Sequence, residues 1–293
     1  MADPVVYLNE QFMPLSEARI PVLDRGFIFG DGVYDVVPVY QRKMFRAHEH
    51  LDRLARSMQA IGIVDPYSRE QWLALIERLI NDFDADDQVV YIQVTRGVAP
   101  RAHAFPAEAK PTVLMMATPF KAPTPTMREQ GVACVTMEDK RWLHCNIKSI
   151  SLLGNVLAAQ NAAEHGVTET ILFRDGLLTE ASASNVWIVK DGVVLGPKKS
   201  NQVLEGIRYG VFEELCAAND IPFELRDITV DEVLNADEVL LSSAVKEVLP
   251  VTVIDDRPVG DGAPGPMYRR LYALYQGAKA QSGQEYAQAS AAE

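Results

Sequence analysis

Three prolines fall within seven residues, Pro119, Pro123 and Pro125, in the run Pro119-Phe120-Lys121-Ala122-Pro123-Thr124-Pro125-Thr126. Proline locks φ and removes a backbone donor, so such a run fits neither a helix interior nor a central strand. It predicts an extended connector and a domain boundary: residues 1–119 as a small first domain, 120–126 as a linker, and 127–280 as a larger second domain. At 293 residues the chain is long enough for two cores of moderate size. Val5–Leu8 and Ala18–Val22 flank a polar turn and read as an opening hairpin, and the β-branched, aromatic run Val33–Tyr40 reads as a strand. Leu51, Leu54, Ala55, Met58 and Ile61 recur at spacings of three and four, which predicts a helix over 48–61. Ser68 and Glu70 open a second helix carrying Trp72, Leu73, Leu75, Ile76, Leu79 and Ile80. Strands over 88–95 and 111–117 complete the first half. The second half predicts a strand at 131–137, a helix at 152–165, strands at 169–173 and 185–189, and a helix at 205–219. Strands at 239–242 and 251–254 and a last helix at 266–280 follow. Residues 281–293 are small and polar and predict a disordered tail. This strand-rich, irregular order favours two α+β domains over a doubly wound sheet.

The net charge of −12 argues against a nucleic-acid or anionic-membrane surface, both of which need a basic face. An anionic ligand would need a local basic pocket. Cys134, Cys145 and Cys216 are odd in number and without CxxC spacing, so neither a disulfide framework nor a zinc knuckle is indicated. The start Met1-Ala2-Asp3-Pro4 lacks the basic and apolar regions of a signal peptide, and no run of about 18 apolar residues occurs. A cytoplasmic protein is expected.

Several segments carry candidate chemistry. Gly26-Phe27-Ile28-Phe29-Gly30-Asp31-Gly32 is not the dinucleotide fingerprint; it precedes a strand, and reads either as a tight turn or as a loop pressed against a ligand. His48 and His50 do not share a helix face, and His144-Cys145 stands alone, so no metal site is expected and helix-surface histidines are. Arg101-Ala102-His103 lies in a Gly- and Pro-containing loop, where tips at i and i+2 can point to one side and grip a carboxylate, or can simply be solvated. Lys148 has apolar and small neighbours in Cys145-Asn146-Ile147-Lys148-Ser149-Ile150-Ser151-Leu152-Leu153. It is either a snorkelling lysine or an amine whose desolvation makes it nucleophilic. Glu180, in Thr179-Glu180-Ala181-Ser182-Ala183-Ser184-Asn185, either anchors a cationic ring nitrogen or is a turn acid.

Together these segments resemble the fold-type IV pyridoxal-phosphate enzymes, and within them the D-amino-acid aminotransferases. Arg25-Gly26-Phe27-Ile28-Phe29-Gly30-Asp31-Gly32-Val33-Tyr34 resembles the entry loop, and His50-Leu51-Asp52-Arg53-Leu54 the phosphate-arginine helix. Val94-Thr95-Arg96-Gly97 through Pro100-Arg101-Ala102-His103 resembles the carboxylate-binding loop. Lys148-Ser149 with Leu152-Leu153-Gly154 resembles the Schiff-base segment, and Thr179-Glu180 through Ser184-Asn185 the segment that holds the pyridine. The five motifs stand in order between about residues 5 and 275.

The resemblance implies a two-domain α+β fold: a small N-terminal α/β sandwich and a larger C-terminal pseudo-barrel that binds pyridoxal 5′-phosphate. It implies that Lys148 bonds the cofactor aldehyde and then carries the substrate proton as general base and acid. Glu180 would pair with the ring nitrogen and Arg53 with the phosphate, which Ile207, Arg208, Ser243 and Ala244 would complete. Tyr34, Arg101 and His103 would hold the substrate carboxylate, the last two reaching in from a neighbouring subunit, so a homodimer with shared active sites is implied. With the carboxylate pinned and Lys148 on one face of the cofactor, only one enantiomer presents its α-hydrogen to the amine. The family pattern expects small hydroxyl residues where Arg208 and Ala244 stand, so Arg208 either adds a charge contact or points to solvent. The implied reaction is transamination between a D-amino acid, such as D-alanine, and 2-oxoglutarate or pyruvate. Branched-chain L-amino-acid or amine transamination and aminodeoxychorismate lysis are the same-fold alternatives, and a non-enzymatic dimeric scaffold is a third class.

Overall fold

The structure is a computed structural model and describes residues 3–289. The chain divides into two units. Residues up to Phe120 form the first together with the returning segment Ile147–Leu152, and Lys121–Asn146 with Leu153–Gln281 form the second. Sequence order alone would assign that returning segment, which contains Lys148, to the second half.

In the first unit the elements are β1 (Val5–Leu8), β2 (Gln11–Pro14), α1 (Arg25–Phe29), β3 (Gly32–Tyr40), β4 (Lys43–Met44), α2 (Ala47–Ala60), α3 (Arg69–Asp82), β5 (Gln88–Thr95) and β6 (Thr112–Pro119). The six strands form one antiparallel sheet in the order β2-β1-β6-β5-β3-β4. Alternation sets its faces: Val90, Ile92 and Val94 of β5 turn inward while Val89, Tyr91 and Gln93 are half-buried. Against that inner face pack Leu51, Leu54 and Met58 of α2 and Trp72, Ile76, Leu79 and Ile80 of α3. Helix α3 begins in a capping box, Ser68 accepting from the Gln71 amide and Gln71 from the Ser68 amide.

Two local expectations are corrected here. The hairpin partner of β1 is β2, not Ala18–Val22, because Asn9 and Glu10 both take positive φ (46° and 71°) and turn the chain within two residues. The glycine cluster is not a simple turn: Arg25–Phe29 is a helical turn capped by buried Asp24, and Gly30 at φ 66° ends it.

The second unit contains α4 (Pro125–Gln130), β7 (Val132–Glu138), α5 (Leu153–Glu164), β8 (Glu169–Arg174), β9 (Leu177–Ala181), β10 (Asn185–Lys190), β11 (Val193–Pro197), α6 (Ile207–Ala218), β12 (Phe223–Arg226), α7 (Val230–Leu234), β13 (Glu238–Ser243), β14 (Glu247–Ile254), β15 (Arg257–Pro258) and, as far as Gln281, α8 (Pro266–Ala289). Its sheet is mixed, in the order β12-β11-β10-β13-β14-β7-β8-β9, with β15 beside β14. Strand β9 ends that path, yet the short Ser182–Ser184 connection joins it to β10 near the opposite end, with the Ala181 amide on the Ser184 carbonyl at 2.7 Å. The sheet therefore curls back on itself into a half-barrel, as a pseudo-barrel requires. Strands β8 and β13 are buried almost throughout, and each carries an unbroken apolar triplet, Ile171-Leu172-Phe173 and Val239-Leu240-Leu241.

The short strands β9, β11 and β12 were not legible as separate elements, and Pro125, expected in the connector, instead occupies the first turn of α4 behind the Thr124 cap. Helix α8 continues to Ala289, beyond the expected end at 280; residues 290–293 of the expected tail lie outside the described residues. Among the described residues no helix is long and apolar enough to cross a membrane.

Candidate active site

In the first unit, α2 carries two adjacent buried stripes. Leu51, Leu54 and Met58 form the apolar one; His50, Arg53 and Ser57, at i, i+3 and i+7, form a polar one. The polar stripe meets Asp35 of β3, which is 0% exposed. Arg53 donates to both carboxylate oxygens, Nε to Oδ2 and Nη2 to Oδ1, each at 2.8 Å, and His50 Nδ1 lies 2.7 Å from Oδ1. Burial alone would push the Asp35 carboxyl up; the Arg53 charge and then His50 overcome it and hold the acid well below the usual carboxylate range. The guanidinium implied to bind a phosphate is thus aimed by a charged acid beneath it. His50 is buried, not a surface histidine as its sequence suggested.

Lys148 reaches this unit through the returning segment. On the side of β3 that β5 leaves open, the Tyr34 amide donates to the Lys148 carbonyl (2.9 Å), Val33 bridges Ser149, and the Ile150 amide donates to Gly32 (3.0 Å). The Lys148 amide in turn donates to Ser57 Oγ at 3.3 Å. Backbone bonds on both sides therefore aim the side chain, and its Nζ stands 4.3 Å from the centroid of the Tyr34 ring. Arg101 and His103 are exposed, and both lie beside Phe29 of α1: the guanidinium carbon is 5.4 Å and the imidazole centroid 5.6 Å from its ring centre. The two tips share a side.

In the second unit, Glu180 of β9 is buried and held at both oxygens, Oε1 by Arg141 Nη1 and Oε2 by the Leu204 amide at 3.0 Å. Arg141 is itself gripped by Asp139, Nε to Oδ1 at 2.9 Å and Nη2 to Oδ2 at 2.7 Å. Asp139 also takes the Thr179 hydroxyl at 2.8 Å and pairs with Arg174 at 3.1 Å. Its burial would raise the carboxyl; the Arg141 contacts outweigh that and keep it below its ordinary range. Glu180 is accordingly a braced acid and not a turn residue.

Ile207 and Arg208 begin α6, which Trp187 positions by packing on Tyr209 and Phe212 at 4.6 and 4.8 Å. No side chain caps this helix, and a β-carbon on its N-cap Gly206 would collide with Asn185 Oδ1. An uncapped amide turn behind a glycine that admits no side chain fits an anion such as a phosphate. Arg208 is buried, its Nη2 donating to the Tyr275 hydroxyl at 2.6 Å and to the Ala244 carbonyl at 3.3 Å. Of the two alternatives left open for it, solvent is ruled out. Ser243 accepts the Lys246 amide through Oγ at 3.0 Å, and Lys246 pairs at 2.5 Å with Glu169, which also receives the Ser182 hydroxyl at 2.7 Å.

The first unit thus gathers Arg53, Lys148 and Tyr34 around α2 and β3 and sets the loop residues Arg101 and His103 beside Phe29 of α1; the second braces Glu180 and joins Arg208 to the turn at Ser243 and Ala244. Sequence reasoning missed Asp35, His50, Arg141, Asp139 and Glu169. A lone acid inside the apolar run Val33–Tyr40 was a readable signal for Asp35. Glu138-Asp139-Lys140-Arg141 reads as a solvated charge cluster and offered none. Among the described residues no group of three or more His, Cys, Asp or Glu side chains could hold a metal ion.

Comparison with known proteins bears on the family and the fold. The family model described as amino-transferase class IV matches residues 32–254. The D-alanine aminotransferase of Staphylococcus aureus (strain MSSA476) is 42% identical over 267 residues, covering 91% of this chain and 94% of that protein. The D-alanine aminotransferase of Bacillus licheniformis is 39% identical over 271 residues, covering 92% and 95%. Among solved structures, the branched-chain amino acid aminotransferase of Escherichia coli superposes with a TM-score of 0.89 at 22% identity, covering 94% of each chain. The branched-chain aminotransferase of the archaeon Thermoproteus uzoniensis gives 0.85 at 24%, over 93% of each. At such identities the two structures speak for the fold alone.

Proposed function

The chain belongs to the class IV aminotransferase family, and from that premise we propose that it transfers the amino group of a D-amino acid, such as D-alanine, to 2-oxoglutarate or pyruvate. The observation that carries the D-amino-acid reading over its same-fold alternatives is the 42% identity to a D-alanine aminotransferase across 91% of the chain. Fold-type IV aminotransferases are pyridoxal-phosphate enzymes, and the residues described fit that group. When bound, it supplies the aldehyde that takes up the amino group and the ring that draws electrons from the α-carbon.

The chain's own residues do the rest. Lys148 Nζ takes the proton from the substrate α-carbon and later returns one. Arg53, held rigid by Asp35, would donate to the cofactor's phosphate, and the uncapped first turn of α6 would offer backbone amides to such an anion. Glu180, braced by Arg141 and Leu204, would hold the cofactor's ring nitrogen and favour its protonated form. Arg101 and His103, side by side on Phe29, grip the substrate carboxylate with Tyr34.

A homodimer with shared sites completes the reading. Large apolar side chains stand exposed on each unit, Phe27 (70%) and Phe105 (63%) on the first and Leu153 (71%), Val156 and Leu157 on the second. Light scattering is expected to return the mass of two chains; a monomer at working concentration would refute shared sites. A cytoplasmic location suits three cysteines that are all free.

The decisive experiment is a panel of D- and L-alanine, L-leucine and a simple amine, each offered to the holoenzyme with and without 2-oxoglutarate. D-alanine is expected to be consumed, and pyruvate beyond the one equivalent per bound cofactor is expected only in amounts matched by amino acid formed from the acceptor. Preferential use of L-leucine, or release of pyruvate well beyond one equivalent per cofactor without an acceptor, would overturn the proposal.

A further inference from the structure

Arg101 and His103 are exposed side chains on a loop without regular structure, and among the described residues the Phe29 ring is what their side chains rest on. Their backbone, however, hangs from one buried side chain. Arg25, in the first turn of α1, is 3% exposed. Its Nη1 donates to the carbonyls of Ala102 (2.6 Å) and Ala104 (3.4 Å), and its Nη2 to that of His103 (3.3 Å). Its own amide donates to Gly97 at 2.9 Å, where the loop begins.

The guanidinium is held from the other edge. Its Nε donates to Asp31 Oδ2 at 2.7 Å, and Asp31 is shared with Arg96, whose Nε and Nη2 reach Oδ2 and Oδ1 at 2.8 and 3.0 Å. Arg96 also donates to the Ile61 and Gly62 carbonyls at 2.6 and 3.2 Å, just past the end of α2, and stacks 3.5 Å from the centre of Phe105 at the far side of the loop. Asp31 stays ionised: burial raises its carboxyl, and the two arginines more than reverse that. Asp24, the cap of α1, receives the Thr95 hydroxyl at 3.1 Å and so ties α1 to β5. Phe29, one turn from Arg25, lies 4.9 Å from its guanidinium and is the ring on which Arg101 and His103 both rest.

We infer that Arg25, seated on Asp31, is a positioning residue for substrate recognition: by holding the carbonyls of residues 102–104 it sets the direction of the Arg101 and His103 side chains. Three carbonyls and a carboxylate around one planar five-donor group is an arrangement that a lysine ammonium cannot reproduce. The inference rests on the reading of Arg101 and His103 as the carboxylate grip and goes beyond it, because Arg25 touches neither substrate nor cofactor.

The test compares Arg25→Lys, Arg25→Ala and Arg101→Ala with the unaltered holoenzyme. A misplacement of the grip by about 1 Å is worth about 100-fold in kcat/KM. Both Arg25 variants are expected to show most of that loss in KM for the D-amino acid and the 2-oxo acid alike, with kcat nearly kept. Their dissociation constant for pyridoxal phosphate, read by absorbance titration without turnover, is expected to stay unchanged. Millimolar guanidinium is expected to restore part of the KM of Arg25→Ala. Arg25→Lys keeps a cation opposite Asp31 and so remains informative if the alanine variant fails to fold. Unchanged KM in folded Arg25→Lys, with KM raised in Arg101→Ala, overturns the inference and leaves the proposed function standing. Unchanged KM in Arg101→Ala overturns both. A fall in cofactor affinity matching the loss of activity overturns the inference too, since Arg25 would then support the fold at large.

Discussion

Replacement of Lys148 by alanine is expected to reduce amino-group transfer by about four orders of magnitude, because one amine serves both as covalent anchor and as proton carrier. The fold should survive the change. The contacts that bring this segment to β3 and α2 are made by the Lys148 carbonyl and amide, to Tyr34 and Ser57, and a side-chain truncation leaves them in place. Circular dichroism and the thermal midpoint are therefore expected to stay close to those of the unaltered protein while turnover collapses. Borohydride reduction of the holoenzyme should mark the peptide that contains Lys148. A label on another lysine, or turnover kept in Lys148→Ala, would remove the basis of the proposed chemistry.

Asp35→Asn is expected to have the largest effect on stability. The carboxylate is fully buried and accepts from Arg53 twice and faces His50 once. Removing its charge takes from the buried Arg53 guanidinium the carboxylate to which it donates twice, and breaking such a buried pair costs about 3–5 kcal/mol. The difference should depend on pH in a definite direction. The folded-state acid sits well below the unfolded value of about 3.9, so its contribution is complete above about pH 5 and falls away as pH drops through the acid range. Urea unfolding at pH 7 and pH 3 is expected to show a wide gap between the two proteins at the first and a narrower one at the second. A gap that is equal at both, or that widens in acid, would mean that Asp35 is not the ionised partner of Arg53. Cofactor affinity should fall in the same variant, because Arg53 loses the group that aims it.

The elements that were legible beforehand are those whose periodicity is strong and local. Helices α2 and α3 announce themselves by apolar residues at spacings of three and four, and β3 and β5 by β-branched runs. The chain passes from the first unit to the second after Phe120 and returns to the first at Ile147–Leu152, a return that no local pattern announces. Strands β9, β11 and β12 escaped because four or five residues carry too little pattern to separate from a turn. The hairpin partner of β1 escaped because its turn, Asn9-Glu10, lacks the usual glycine.

By itself the order of residues determined which side chains have chemistry to offer: a lysine among apolar neighbours, an arginine on a helix, an Arg-x-His loop and an acid before a strand. Only tertiary structure decided what each of them meets. Asp35 finds Arg53 across 18 positions, Glu180 finds Arg141 across 39, and Arg25 finds Ala102 across 77. Such pairs leave no periodic trace, because a charged side chain buried against a distant partner and one turned to water look alike in a linear string. Burial separates them: without water, every donor of those guanidiniums must be answered by a specific oxygen, and packing alone settles which.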